Sequence, residues 1–150
     1  MNYLRRFWTI FKGCFHESPD LGMPDVVNPK EPLSRYLMSR RHFWREKKAV
    51  KPVAFLPRDD NLRLSVFRID GLTEGEIWEI GEEVVARPAH RNLHGRGDIT
   101  ASIVQTQGLH IDPDNNPRRH ADITWWPEDK PKRLEIAQEL AASATLILRS

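Results

Sequence analysis

The sequence predicts an α+β fold: a small, mostly antiparallel sheet with helices packed on one face, preceded by an N-terminal amphipathic helix and a proline-rich strap. Three observations point there. Residues 62–69 and 109–126 carry two-residue apolar alternation broken by turn-forming residues. Residues 73–88 and 131–144 carry apolar residues at helical spacing behind a start signal. The strands and helices come in small groups, without the regular rhythm that a parallel doubly wound sheet requires.

Taken in order, Leu4, Phe7, Trp8, Phe11 and Phe15 fall on one face of a helix over residues 3–15. A helix of about 13 residues is marginal alone in water, so its stripe needs cover: its own core, a partner's groove or a membrane surface. Pro19, Pro24, Pro29 and Pro32 then deny regular helix across 16–32. The expected division is an arm over 1–32 and a single α+β domain over 33–150. Leu33, Tyr36, Leu37 and Phe43 or Trp44 suggest a second helix over 33–46. Val50–Leu56 and Leu62–Ile69 read as an antiparallel hairpin turning at Arg58–Asn61.

Thr73 and Glu76 have capping-box spacing and open a helix with Ile77, Ile80 and Val84 inward, ended by Pro88. Residues 87–97 read as a loop. Asp98 can cap a short helix through Thr106, with Gly108 as its left-handed stop; a strand from Ile99 competes. Residues 109–112 and 118–126 form a second predicted hairpin. The last helix starts near Pro131, and Thr145–Leu148 either continues it or forms a terminal strand.

Charge is unevenly spread. Residues 1–51 hold 11 Lys/Arg against 5 Asp/Glu, and residues 52–150 hold 12 against 16. A basic front on an acidic body points to an acidic partner, or to docking of the front on its own or a sister chain. Cys14 is the only cysteine, which excludes an internal disulfide and a four-cysteine zinc site and fits a reducing, cytoplasmic setting. No apolar run approaches the roughly 20 residues of a membrane span.

The pattern richest in chemistry is a doubled His-x-Asp, His110-Ile111-Asp112 and His120-Ala121-Asp122. Residues two apart share a face of a strand. If Asp112 faces Arg118 and His110 faces His120, then His110, Asp112, Arg118, His120, Asp122 and Thr124 share one face. Leu109, Ile111, Ala121, Ile123 and Trp125 form the core side. Two imidazoles and two carboxylates can ligate a divalent metal, act as acid–base groups, or simply be the wet side of a sheet. Arg68, between Phe67 and Ile69, can clamp a phosphate or pair with an interior carboxylate, and Arg119 is a further phosphate candidate. Arg40, Arg41 and Trp44, with Arg45, Lys47, Lys48 and Lys51, interleave cations with aromatics in a pattern able to meet nucleic acid.

The leading expectation is a small non-catalytic accessory protein. It docks on a larger protein partner through Leu4, Phe7, Trp8, Phe11, Phe15, Arg40, Arg41 and Trp44, and needs no cofactor. The alternative is a nucleotide- or nucleic-acid-directed hydrolase or transferase using His110, His120, Asp112, Asp122 and Arg68, with a divalent metal as an option. A homo-oligomer fits either reading.

Overall fold

Leu33, Tyr36 and Leu37, whose spacing suggested a helix, lie on a strand at the heart of the sheet. The computed structural model describes residues 24–150. The helix predicted over 3–15 and the strap before Pro24 lie outside the described residues.

The strands are β1 (Pro32–Leu37), β2 (Phe43–Trp44), β3 (Ala49–Val50), β4 (Leu64–Arg68), β5 (Gly95–Thr100), β6 (His110–Asp112), β7 (His120–Thr124) and β8 (Thr145–Leu148). The helices are α1 (Glu74–Ile80), α2 (Ala101–Thr106) and α3 (Lys130–Ser143). α1 runs on as a π-helical segment, Gly81–Ala86. Six strands form one sheet in the order β6-β7-β4-β1-β5-β8, every neighbour antiparallel. β2 and β3 form a separate hairpin. The chain is therefore α+β with a mostly antiparallel sheet.

Helices cover both faces of this sheet, not one. Leu33, Leu37, Val66, Ile99, Ala121 and Ile123 pack with Val104 of α2 and with Ala137 and Leu140 of α3. On the opposite face Tyr36 and Phe67 pack with Ile77, Ile80 and Val84 of α1 and its extension. β1 and β4 present apolar side chains both ways, so a second helix has a patch to bury. The Thr73–Glu76 capping box forms as expected. Tyr36 Oη donates to Ile77 O at 2.5 Å, and Arg96 donates to the Glu74 carboxylate at 2.8 Å. That hydrogen bond, followed by the Arg96 charge, holds Glu74 below the usual carboxylate range. α1 leaves β6 and β7 uncovered, and neither adds a residue to this second core.

Other expectations need correction. Pro52–Phe55 is a 3-10 turn behind β3, because Pro52 supplies no ladder donor and suits a first helical position. β4 pairs with β1 and β7 rather than with the 50–56 segment. Gly95–Gly97, expected as loop, is strand. A Cβ on Gly95 would meet Ile147 O at 2.8 Å, so glycine there admits the close approach of β8. Residues 98–106 divide between the competing readings, with β5 to Thr100 and α2 from Ala101.

The β6–β7 hairpin exists in a different register: His110 opposes Thr124, Ile111 opposes Ile123 and Asp112 opposes Asp122. Arg119 has φ 69°, outside extended geometry, so β7 begins only at His120. Arg118, expected on the polar face, is fully buried. Trp125 has φ 68° and turns outward at 72% exposure, while Trp126 takes the core place expected for it.

Candidate functional site

The uncovered part of the sheet gathers its polar side chains around His120. Alternation along β7 sends Ala121 and Ile123 into the core and leaves His120, Asp122 and Thr124 on the α1 side. On neighbouring β4 the same alternation buries Leu64 and Val66 in that core and places Ser65 beside β7 on the α1 side. His120 Nε2 lies 2.7 Å from Ser65 Oγ, and His120 Nδ1 lies 2.8 Å from Asp114 Oδ1.

A carboxylate only accepts hydrogen bonds, so Nδ1 carries the proton toward Asp114 in the neutral ring. Nε2 then accepts from the Ser65 hydroxyl. The result is a file of three groups, carboxylate to imidazole to hydroxyl. Asp122 Oδ1 is 3.6 Å from Nε2, but its charge is met by Arg63, whose Nη1 lies 3.1 Å from Asp122 Oδ2. The same Arg63 nitrogen is 3.6 Å from Asp112. Phe67 meets the His120 ring edge-on at 5.4 Å, so aromatic packing also holds its orientation.

A cavity of about 300 Å³ opens beside this file. Phe67, Val84, Val85, Pro88, Ala89 and Pro117 form its walls. Ser65 and His120 are its polar edge. The reach past α1 into the Pro88 turn therefore builds an apolar chamber against the one half-buried hydroxyl–imidazole pair described here.

The predicted site residues do not stay together. His120, Asp122 and, through Arg63, Asp112 are joined. His110 is exposed and stacks on Trp125 with ring centroids 4.7 Å apart. Arg68 is fully buried and bonded to Glu31, with Nη2–Oε2 at 3.0 Å and a second, shorter bond from Nε. It also donates to Pro24 O at 2.6 Å. This is the interior carboxylate pairing, and it ties the chain before β1 to β4. Arg119 donates to the carbonyls of Arg68 and Asp70.

Ser65 and Asp114 carry half of the site and had no functional signal in the sequence. Ser65 reads as one polar residue of an alternating strand, and Asp114, between Pro113 and Pro117, reads as a turn residue. The one clue was that His120 shares a face with the polar positions of its neighbouring strand.

Asp114, His120 and Asp122 also offer one ligand atom each within 4.8 Å of one another, a donor set able to hold a divalent cation. With Nδ1 on Asp114 and Nε2 on Ser65, both ring nitrogens are engaged, and a cation would have to displace one bond.

Of the expected docking residues, Arg40 and Arg41 form a 3-10 turn capped by Ser39, and Trp44 lies on the β2–β3 hairpin with 41% exposure. Leu4, Phe7, Trp8, Phe11 and Phe15 lie outside the described residues. No helix among the described residues is long and apolar enough to cross a membrane. In comparisons with known proteins, the chain matches no family model, no curated protein and no solved structure.

Proposed function

We propose that this chain is a hydrolase or acyl transferase in which Ser65 is the nucleophile, His120 the general base and Asp114 the carboxylate that orients it. The observation carrying the reading is the unbroken file Asp114–His120–Ser65, with heavy-atom separations of 2.8 and 2.7 Å, at the edge of an apolar cavity. This departs from the expected use of His110 and Arg68, whose partners lie elsewhere.

The chemistry is balanced within the chain's own groups. Ser65 Oγ bonds to a substrate carbonyl carbon while its proton passes to His120 Nε2. Asp114 accepts from Nδ1–H and stabilises the imidazolium that forms. The leaving group departs with the proton from Nε2, leaving the acyl group on Ser65. Water or an acceptor alcohol then attacks, its proton going to Nε2, and Ser65 is restored. Apolar walls favour an uncharged acyl group over a phosphate at the reacting end.

A panel of p-nitrophenyl esters of short acyl chains, run beside bis(p-nitrophenyl) phosphate, tests this reading. Turnover of the esters that disappears in Ser65→Ala supports it. Turnover of the phosphate diester alone would restore the nucleotide-directed alternative. Turnover of neither would return the chain to the docking reading, in which the basic front is the working surface.

A further inference from the structure

The β2–β3 hairpin stands apart from His120. Phe43 and Val50 anchor it in the core on the opposite side of the sheet. Its loop turns through Lys48 at φ 51°, with Lys48 N–H donating to Arg45 O at 3.2 Å. Residues 40–51 contain six cations, Arg40, Arg41, Arg45, Lys47, Lys48 and Lys51, against the single carboxylate of Glu46. None of the six is in an ion pair among the described residues.

Trp44 projects from the hairpin, 41% exposed. The ammonium groups of Lys47 and Lys51 lie 5.1 and 5.3 Å from its ring centroid. A groove of about 470 Å³ runs along this ring and the Arg40, Phe43, Arg45 and Lys47 side chains, with Glu46 as its one carboxylate. A partly exposed indole costs solvation, and six cations with only Glu46 among them repel one another. Both features are relieved by one kind of ligand: a chain with flat π faces and regularly spaced negative charges.

We infer that this hairpin binds single-stranded nucleic acid, with Trp44 stacking on a base and the surrounding lysines and arginines meeting phosphates. An acidic protein surface would satisfy the cations but offer the ring no flat partner of its own size. A duplex would satisfy the cations but hide its bases from a stacking side chain. Stacking is indifferent to base identity, so the expected preference is for strandedness rather than sequence.

The test uses the full chain and a fluorescein-labelled oligothymidylate of about 12 nucleotides, read by anisotropy at low salt. Binding should quench tryptophan emission and shift the hairpin amides of residues 40–51 in NMR spectra. Trp44→Ala should weaken it about tenfold. Log affinity should fall with log salt, and Lys47→Gln with Lys51→Gln should reduce that slope by about 1.4. Unchanged thermal midpoints in these variants separate lost contacts from lost fold.

Equal binding by the wild type and Trp44→Ala, or hairpin amides that do not move, would overturn the inference. Polyglutamate binding as tightly as the oligonucleotide would overturn it in favour of an acidic protein partner. Because the hairpin and Ser65 lie on opposite sides of the sheet, ester turnover is unaffected in these variants.

Discussion

Ser65 and His120 reach each other diagonally across the β4–β7 pair. Ser65 stands opposite Asp122 in the ladder and His120 opposite Phe67, yet Nε2 and Oγ are 2.7 Å apart. Diagonal neighbours on one sheet face are within reach of a ring side chain. The contact therefore follows from antiparallel pairing and depends on no flexible loop at the nucleophile. Asp114 alone comes from the loop before β7, where Asn115 N–H donates to His120 O at 2.9 Å.

Removing either end of this contact should separate activity from stability. His120→Gln should lower ester turnover by about 10²- to 10⁴-fold, the usual contribution of a general base. It should cost no more than about 3 kcal/mol of folding free energy, the net worth of its two hydrogen bonds. Progress curves and urea unfolding on the same preparations check both. Unfolding rather than inactivity would mark His120 as structural.

Added zinc should inhibit. A cation held by Asp114, His120 and Asp122 takes an imidazole nitrogen from Ser65 or Asp114 and breaks the file. Turnover should be unchanged by a chelator and should fall as zinc is raised, with that inhibition weakened in Asp122→Asn. Activation by zinc would show that the metal, not the hydroxyl, does the work.

Arg68 and Glu31 should behave as one buried unit. Their side chains are 0% and 5% exposed. Removing one partner leaves a buried charge, so Glu31→Gln or Arg68→Met should each cost about 3–5 kcal/mol. The double variant Glu31→Gln with Arg68→Met should cost less than the sum of the two. Chemical unfolding of the three proteins gives the coupling directly.

His42 should make the fold acid-sensitive. Burial, then the charges of Arg35 and Arg91, lowers its pKa from the ordinary 6.5. The unfolded chain then binds more protons than the folded one in the window just below 6.5. The stability contribution is present above that value and is lost as pH falls through the folded pKa. Thermal midpoints of the wild type should fall more steeply than those of His42→Asn between about pH 7 and 5. An imidazole titration at or above the ordinary value would contradict this.

The local signals in the sequence were reliable where one face of an element was buried. The Thr73–Glu76 box and the β7 alternation of Ala121 and Ile123 against His120 and Asp122 both held. β1 has the signature of a helix in the sequence because Leu33, Tyr36 and Leu37 are spaced like one, while a central strand buried on both faces produces the same spacing. The glycines of β5 looked like loop formers because their role is to admit neighbouring chain, which is a tertiary fact. The site was half legible. His120 and Asp122 stand in a repeated motif, but Ser65 is 55 residues away and acquires meaning only through strand pairing. Asp114 looked like a turn residue, which it also is.

Catalysis here depends on the reactivity of one hydroxyl, and a fluorophosphonate reads it without any knowledge of the natural substrate. An activated Ser65 displaces fluoride from phosphorus, and its proton leaves through His120. The expected result is a single adduct located on Ser65 by peptide mass spectrometry, absent in Ser65→Ala and strongly slowed in His120→Gln. An unmodified Ser65 in the folded protein, or an adduct elsewhere that persists in Ser65→Ala, would contradict the account.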